Sequence, residues 1–167
     1  MSGAKTGAAD DEERAYRWAL CGFATGVALI TIDTAAGVAG IVVNSFTSVS
    51  LDPRIVLWCL GDASDRYAMF AHAERWGVNV LSEDQQDISQ RFARPGAFDA
   101  SGLDILRLGD TPVLAGALTH LACRTVERTA MGDHLMVVGE VEAFESASGS
   151  SGLTYFRGRY GRAGLED

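Results

Sequence analysis

Apolar and polar positions along this chain fall into short runs of two different periods. Near the N-terminus, Ala15, Trp18 and Ala19 recur at helical spacing. Asp10 stands where an N-cap would, and Glu13 follows three residues on, the spacing of a capping box. A helix is therefore predicted from Asp11 to Cys21, behind a small polar tail over 1–9 expected to be disordered. Val27–Ile32 is rich in β-formers, Thr34–Gly37 reads as a hairpin turn, and Val38–Asn44 as the returning strand. Ile55–Leu60 is apolar at every position, so a strand buried on both faces is expected there. Gly61-Asp62-Ala63-Ser64 ends it, and Ser64 is placed to cap a short helix through Ala73. Trp76–Leu81 is the next strand. Asp84–Ala93 is helical, with Ile88 and Phe92 on one face. Arg94–Asp110 holds Pro95 and three glycines and reads as a long loop. Ala115–Glu127 and His134–Glu145 are two long strands joined near Met131-Gly132-Asp133. Ser146–Gly152 is a low-complexity turn, and Thr154–Tyr160 is aromatic and basic.

Six or more strands with three short helices and no alternation of strand and helix argue for an antiparallel barrel with helices packed outside. Residues 10–167 form one domain on this reading. No Gly-x-Gly-x-x-Gly follows a strand, so no doubly wound dinucleotide site is visible. The composition of the 167 residues, 47% apolar and 22% charged, is ordinary for a soluble globular chain. A net charge of -8 without a Lys/Arg cluster argues against nucleic acid as the main partner. No apolar run has transmembrane length and no signal segment is present, so a cytoplasmic protein is expected, with no membrane partner. The three cysteines have no zinc spacing and are read as reduced thiols, Cys59 as a small buried hydrophobe. His72, His120 and His134 sit in unrelated contexts, and a metal is not supported.

One stretch stands apart. Asn44 to Pro53 carries an amide, four hydroxyl side chains and a single charge, between apolar runs on either side. Neutral donors and acceptors held in this way suit a flat, polar-edged, mostly uncharged ligand in a preformed cleft. An exposed β-edge decorated with Ser and Thr fits the composition equally well. Phe46, Val49 and Leu51 are expected in the core.

Val43-Asn44-Ser45-Phe46-Thr47-Ser48-Val49-Ser50-Leu51-Asp52-Pro53 resembles the flavin-binding motif of the short-chain flavin reductase family. These are the small NAD(P)H:flavin oxidoreductase components of two-component monooxygenases. Phe23 to Val27, Val78 to Gln85, Gly132-Asp133-His134 and Tyr155 to Gly161 are similar to further family stretches, in the same order. The resemblance spans roughly Tyr16 to Gly161.

The resemblance implies a mainly β fold with flanking α-helices, the antiparallel Greek-key FMN-binding split β-barrel. It implies a homodimer with flavin sites near the interface, FMN or FAD as cofactor, and NADH or NADPH as co-substrate. The reaction would be hydride transfer to flavin, with reduced flavin supplied to a separate oxygenase. The cofactors carry that reactivity, and the protein mainly holds two rings in register. Val43, Asn44, Ser45, Thr47, Ser48 and Ser50 are placed along the isoalloxazine. Ile41, Val42 and Val43 replace the family's usual Met, Thr and Ala, which removes one hydroxyl. The phosphate end is placed at Ser64 and Arg66, where a helix start would face an anion; a plain N-cap with a solvated Arg is the alternative. Ser82, Gln85 and Ser89 are placed toward the ribityl chain or phosphate, and Phe92 either closes the pocket or belongs to the helix core. His134 is placed at the nicotinamide side as the catalytic residue. Tyr155, Arg157 and Tyr160 offer aromatic faces and cations to the dinucleotide, or else dimer contacts. A flavin- or haem-binding protein of the same fold without turnover stays open, because fold alone does not decide function.

Overall fold

The computed structural model describes residues 7–148 and 151–164, with side chains from Asp10 onward. Helix α1 (Gly7–Leu20) begins before the predicted start, so Asp10 lies inside it and does not cap it. The part of the expected tail from Gly7 to Ala9 is therefore helical, and residues 1–6 lie outside the described residues.

Twelve strands follow among the described residues. Seven of them form one antiparallel sheet: β2 (Ala28–Thr34), β3 (Gly37–Val43), β4 (Thr47–Leu51), β5 (Arg54–Gly61), β6 (Arg75–Val80), β9 (Thr119–Met131) and β10 (His134–Ser146). Their order is β3-β2-β6-β9-β10-β5-β4. A second sheet, in the order β1-β11-β12, joins β1 (Thr25–Gly26), β11 (Gly152–Phe156) and β12 (Arg159–Ala163). The two are stitched at one point by backbone bonds from Val27 N–H to Leu153 O (3.2 Å), Leu81 N–H to Val27 O (3.0 Å) and Leu153 N–H to Leu81 O (2.9 Å).

β2 explains why its run is apolar at nearly every position. Successive side chains of a strand point to opposite faces. Ala28, Ile30 and Ile32 join a core with Trp58, Trp76 and Phe70, while Val27 and Leu29 join a second core with Leu81, Phe92, Leu114 and Leu153. β5 is different. Val56, Trp58 and Leu60 are buried, but Ile55, Leu57 and Cys59 are only half-buried, so the expectation of burial on both faces is corrected to one covered face. Cys59 is thus not a fully buried hydrophobe, although partial burial still pushes its thiol pKa up.

Three further readings change. The long loop over Arg94–Asp110 contains a strand, β7 (Ile105–Leu108), which pairs with β8 (Thr111–Leu114) as a hairpin. Gly109 at its turn has φ 59°, a backbone setting that favours glycine. The helix expected from Ser64 to Ala73 is the single turn α2 (Tyr67–Phe70). Ser64 does not cap it; its Oγ accepts Arg66 N–H at 3.2 Å one step earlier. The hydroxyl-rich stretch is a strand, β4, at the edge of the large sheet, with an irregular register between Ser48 and Ser50. Val49 and Leu51 project from that edge and are 55% and 90% exposed, so neither belongs to the core; Phe46 does pack against it. No helix among the described residues is long and apolar enough to cross a membrane.

Candidate active site

Where the small sheet meets the large one, a cleft opens along the lead-in to β4. One part, of about 230 Å³, is walled by Val27, Val42, Val43, Asn44, Ser89 and the two tyrosines Tyr155 and Tyr160. The adjoining part, of about 410 Å³, lies between Phe23–Ala28 and Asn44–Ser48. Val27 and Asn44 border both, so the two parts adjoin at these residues.

The tyrosine wall is fixed by pairing. Tyr155 and Tyr160 stand opposite each other on β11 and β12, with ring centroids 5.2 Å apart in an edge-to-face arrangement. The Tyr160 hydroxyl is 2.9 Å from Ser89 Oγ, on helix α3 (Gln86–Phe92). The adjoining part carries polar, uncommitted groups. Among the described residues, the side chains of Asn44, Thr47 and Ser48 make no hydrogen bond. Thr25 Oγ1 is buried at the cleft wall without a partner. Buried polar atoms are nearly always paired in a finished interior, so this side of the cleft has hydrogen-bonding capacity in reserve.

The structure therefore brings together Val43, Asn44, Thr47, Ser48, Ser89, Tyr155 and Tyr160 of the expected set. Ser45 sits behind the wall: its Oγ accepts Cys59 N–H at 3.0 Å and continues the pairing of β4 and β5. Ser50 is half-buried in β4 beyond the cleft, opposite Ile55. Arg157 occupies a neighbouring groove that shares Tyr160 with the cleft.

Four placements are corrected, each because the side chain is engaged elsewhere. Arg66 is buried, and its guanidinium donates to Arg94 O (2.5 Å) and Ala97 O (3.1 Å), tying down the following loop and leaving little for a phosphate. Ser82 and Gln85 form a capping box at the turn Glu83–Gln85. Gln85 accepts Ser82 N–H through Oε1 (3.2 Å) and donates to Ala115 O through Nε2 (3.0 Å). Phe92 is fully buried against Gly40, where an added Cβ would come within 2.8 Å of its ring. It is core and does not close the cleft. Two more of the expected residues stand outside both parts of the cleft. Ser64 lies at the turn before α2, and His134 starts β10 beside Gly61, half-exposed and outside both parts of the cleft. His134 Nδ1 lies 2.7 Å from Asp133 Oδ1, and that contact holds the Asp133 carboxyl below the usual carboxylate range.

Thr25, Val27, Val42 and Ala93 line the cleft but were not singled out. For the first two a signal existed, since Phe23 to Val27 is one of the stretches that match the family pattern.

The flavin reductase like domain matches residues 20–164. The chain belongs to this family. The match encloses all five motif stretches, so the resemblance read from them holds. The chain is 40% identical over 153 residues to the FMN reductase (NADH) SmoA of Agrobacterium fabrum, covering 91% of this chain and 87% of that one. It is 43% identical over 152 residues to a probable flavin reductase of Rhizobium meliloti, covering 89% of this chain but 48% of the relative. The chain thus spans about half the length of some of the curated relatives it matches. Among solved structures, it superposes on the flavin reductase PheA2 with a TM-score of 0.83 at 32% identity, covering 92% of this chain and 99% of that one. The NADH:FAD oxidoreductase SgcE6 of Streptomyces globisporus C-1027, in complex with NAD and FAD fragments, gives 0.84 at 28% identity, with 98% of each chain covered. The cleft is apolar and aromatic in the part bordered by the tyrosines and richer in neutral donors and acceptors in the adjoining part.

Proposed function

We propose that this chain is an NAD(P)H-dependent flavin reductase that passes a hydride from the nicotinamide to FMN or FAD and supplies reduced flavin to a separate monooxygenase. The observation that carries the reading is the wall of Asn44, Thr47, Ser48 and Thr25 Oγ1, polar groups with no internal partner, adjoining apolar and aromatic residues in a chain of this family. Flavin, when bound, supplies the hydride acceptor. The chain's own residues do the rest: Asn44, Thr47 and Ser48 offer neutral hydrogen-bonding groups to a heteroatom edge, and Val27, Val42, Val43 and Tyr155 cover the apolar part and exclude water. No ionised group is needed in the cleft, because orientation of two rings is the main requirement. The curated relatives include reductase components such as that of a trigonelline monooxygenase of Acinetobacter baylyi, which supports the oxygenase as the recipient.

The reading includes the split barrel, a single domain and a cytoplasmic homodimer. The non-sequential strand order, with β2 beside β6 and β10 beside β5, supports Greek-key crossovers. The free thiols Cys21, Cys59 and Cys123 suit a reducing compartment. The exposed patch of Val49, Leu51 and Phe144 supports a second copy as its cover: Leu51 pairs with Arg54, whose guanidinium lies 5.4 Å over the Phe144 ring. Light scattering at micromolar concentration should give twice the chain mass.

The function is tested by mixing the protein with FMN or FAD and following NADH or NADPH absorbance without oxygen. Loss of nicotinamide absorbance together with flavin bleaching is expected. No loss in any of the four combinations leaves only a flavin- or haem-binding protein.

A further inference from the structure

Helix α1 is held to its own chain on one side. The Arg157 guanidinium, on the β11–β12 hairpin, lies 5.9 Å over the Trp18 ring, and Arg157 N–H donates to Cys21 O at 3.0 Å. The opposite side is bare. At 3.6 residues per turn, Glu12, Tyr16, Ala19 and Leu20 share one face, roughly opposite Trp18. Gly22 N–H and Phe23 N–H close the helix on Ala19 O (3.1 Å) and Leu20 O (3.0 Å), so Phe23 stands at the end of that stripe. Tyr16, Leu20 and Phe23 are each more than half exposed. A helix of 14 residues is marginal in water unless packing covers an apolar face.

A second bare patch lies across the cleft. Phe23–Ala28 borders one side of the larger part and Asn44–Ser48 the other, and Val49 follows Ser48 on the edge strand β4. Val49, Leu51 and Phe144 are again more than half exposed. Arg54 lies over the Phe144 ring. Among the described residues, Arg54 has no carboxylate partner and Glu12 has no cation partner. The two patches therefore match: each offers three large apolar side chains and one unpaired charge, and the charges are of opposite sign.

We infer that α1 is an arm exchanged between two copies of this chain, its bare face docking on the Val49–Leu51–Phe144 patch of the second copy with Glu12 against Arg54. The inference rests on the homodimer of the reading above and says what covers the patch. The spacing of Tyr16, Ala19, Leu20 and Phe23 is that of a helix whose apolar face is laid on a partner. A twofold axis makes the contact twice, once in each direction. Twelve side chains on the order of 100 Å² each bury roughly 1,200 Å² in all, which reaches the size of a stable interface.

The test is light scattering across a dilution series on full-length variants. Leu20→Glu and Leu51→Glu change exposed side chains of the single chain, one on each patch, so the fold itself is spared. Leu106→Glu, at an exposed position of β7, is the control. Each of the first two should raise the dimer dissociation constant at least about tenfold, and the control should not. Glu12→Arg and Arg54→Glu should each weaken the dimer, and the double variant should recover it. A wild-type dimer that Leu20→Glu leaves intact overturns the arm and leaves the bare face to a different protein. A double variant no tighter than the single ones overturns the pairing of α1 with the β4 patch. A wild-type monomer at micromolar concentration fails the proposed homodimer itself, and the arm with it.

Discussion

Two polar clusters lie on either side of β2 and are built from the same residue types. On one side, Thr31, Asn79 and His120 are saturated. Thr31 Oγ1 donates to Pro112 O (2.6 Å), and Asn79 Nδ2 donates to Leu29 O (2.8 Å) and Thr31 Oγ1 (3.1 Å). Asn79 Oδ1 accepts Leu114 N–H (2.6 Å), and His120 Nε2 bonds the Leu114 carbonyl (2.7 Å). On the other side, Asn44, Thr47, Ser48 and Thr25 Oγ1 bond to nothing within the described chain. The saturated cluster locks the β7–β8 hairpin onto the sheet. The unsaturated one borders the cleft. What sets the proposed ligand wall apart from the structural network is therefore its spare hydrogen-bonding capacity and not the residue type.

Asn79→Leu is the strongest way to probe this difference. It strips three hydrogen bonds from a fully buried site. The cost is roughly 3 kcal/mol, a fall of about 6–12 °C in Tm. Flavin affinity of the folded protein should not move. A loss of affinity without a loss of Tm would put Asn79 on the wrong side of the comparison.

Arg66→Lys should come next. A lysine cannot hold both Arg94 O and Ala97 O in the same fork, and about 1–2 kcal/mol of stability should go. The ratio of FMN to riboflavin affinity reports on a phosphate contact. It should be unchanged; a selective loss for FMN would restore Arg66 to the site.

Ser45 and Ser48 divide the clusters within a single motif. Ser45→Ala leaves Cys59 N–H without its partner and should cost about 1 kcal/mol of stability. Ser48→Ala should leave Tm alone and weaken flavin by roughly 1 kcal/mol, about fivefold. Thermal melts and flavin titrations of both variants read the division directly.

His134→Ala should do least. Flavin affinity should stay at the wild-type value. The His134 contact lowers the Asp133 carboxyl pKa, so its contribution is present above the ordinary carboxylate range and fades as pH falls through the lowered value. Both groups are exposed, so melts of the two proteins should differ slightly at neutral pH and converge in acid. A large drop in flavin affinity would place His134 in the cleft after all.

Much of the scaffold is legible from hydrophobic pattern. β2, β3, β6, β9 and β10 announce themselves because each buries an apolar face of the right period. β7 and β8 were hidden behind Pro95 and three glycines, although Gly109-Asp110 between Ile105–Leu108 and Thr111–Leu114 is itself a hairpin signal. β4 was legible as an exposed β-edge, one of two readings of the hydroxyl-rich stretch, and its edge position left Val49 and Leu51 uncovered. The site was half legible. Asn44, Thr47 and Ser48 stand in the motif, whereas Arg66, Ser82 and Gln85 look equally suited to a ligand until their partners are known. Those partners, Arg94 O, Ala97 O and Ala115 O, are backbone atoms brought near by the fold, and no residue code marks them.

The central claim is that the unsaturated wall holds flavin. Amide chemical-shift changes on titrating FMN into the labelled protein test it most directly. The account predicts the largest shifts at Thr25, Val27, Asn44, Thr47, Ser48 and Tyr160, with Ser82 and Gln85 undisturbed. Shifts centred on Ser64–Arg66 or Ser82–Gln85, with Asn44–Ser48 unmoved, would contradict it.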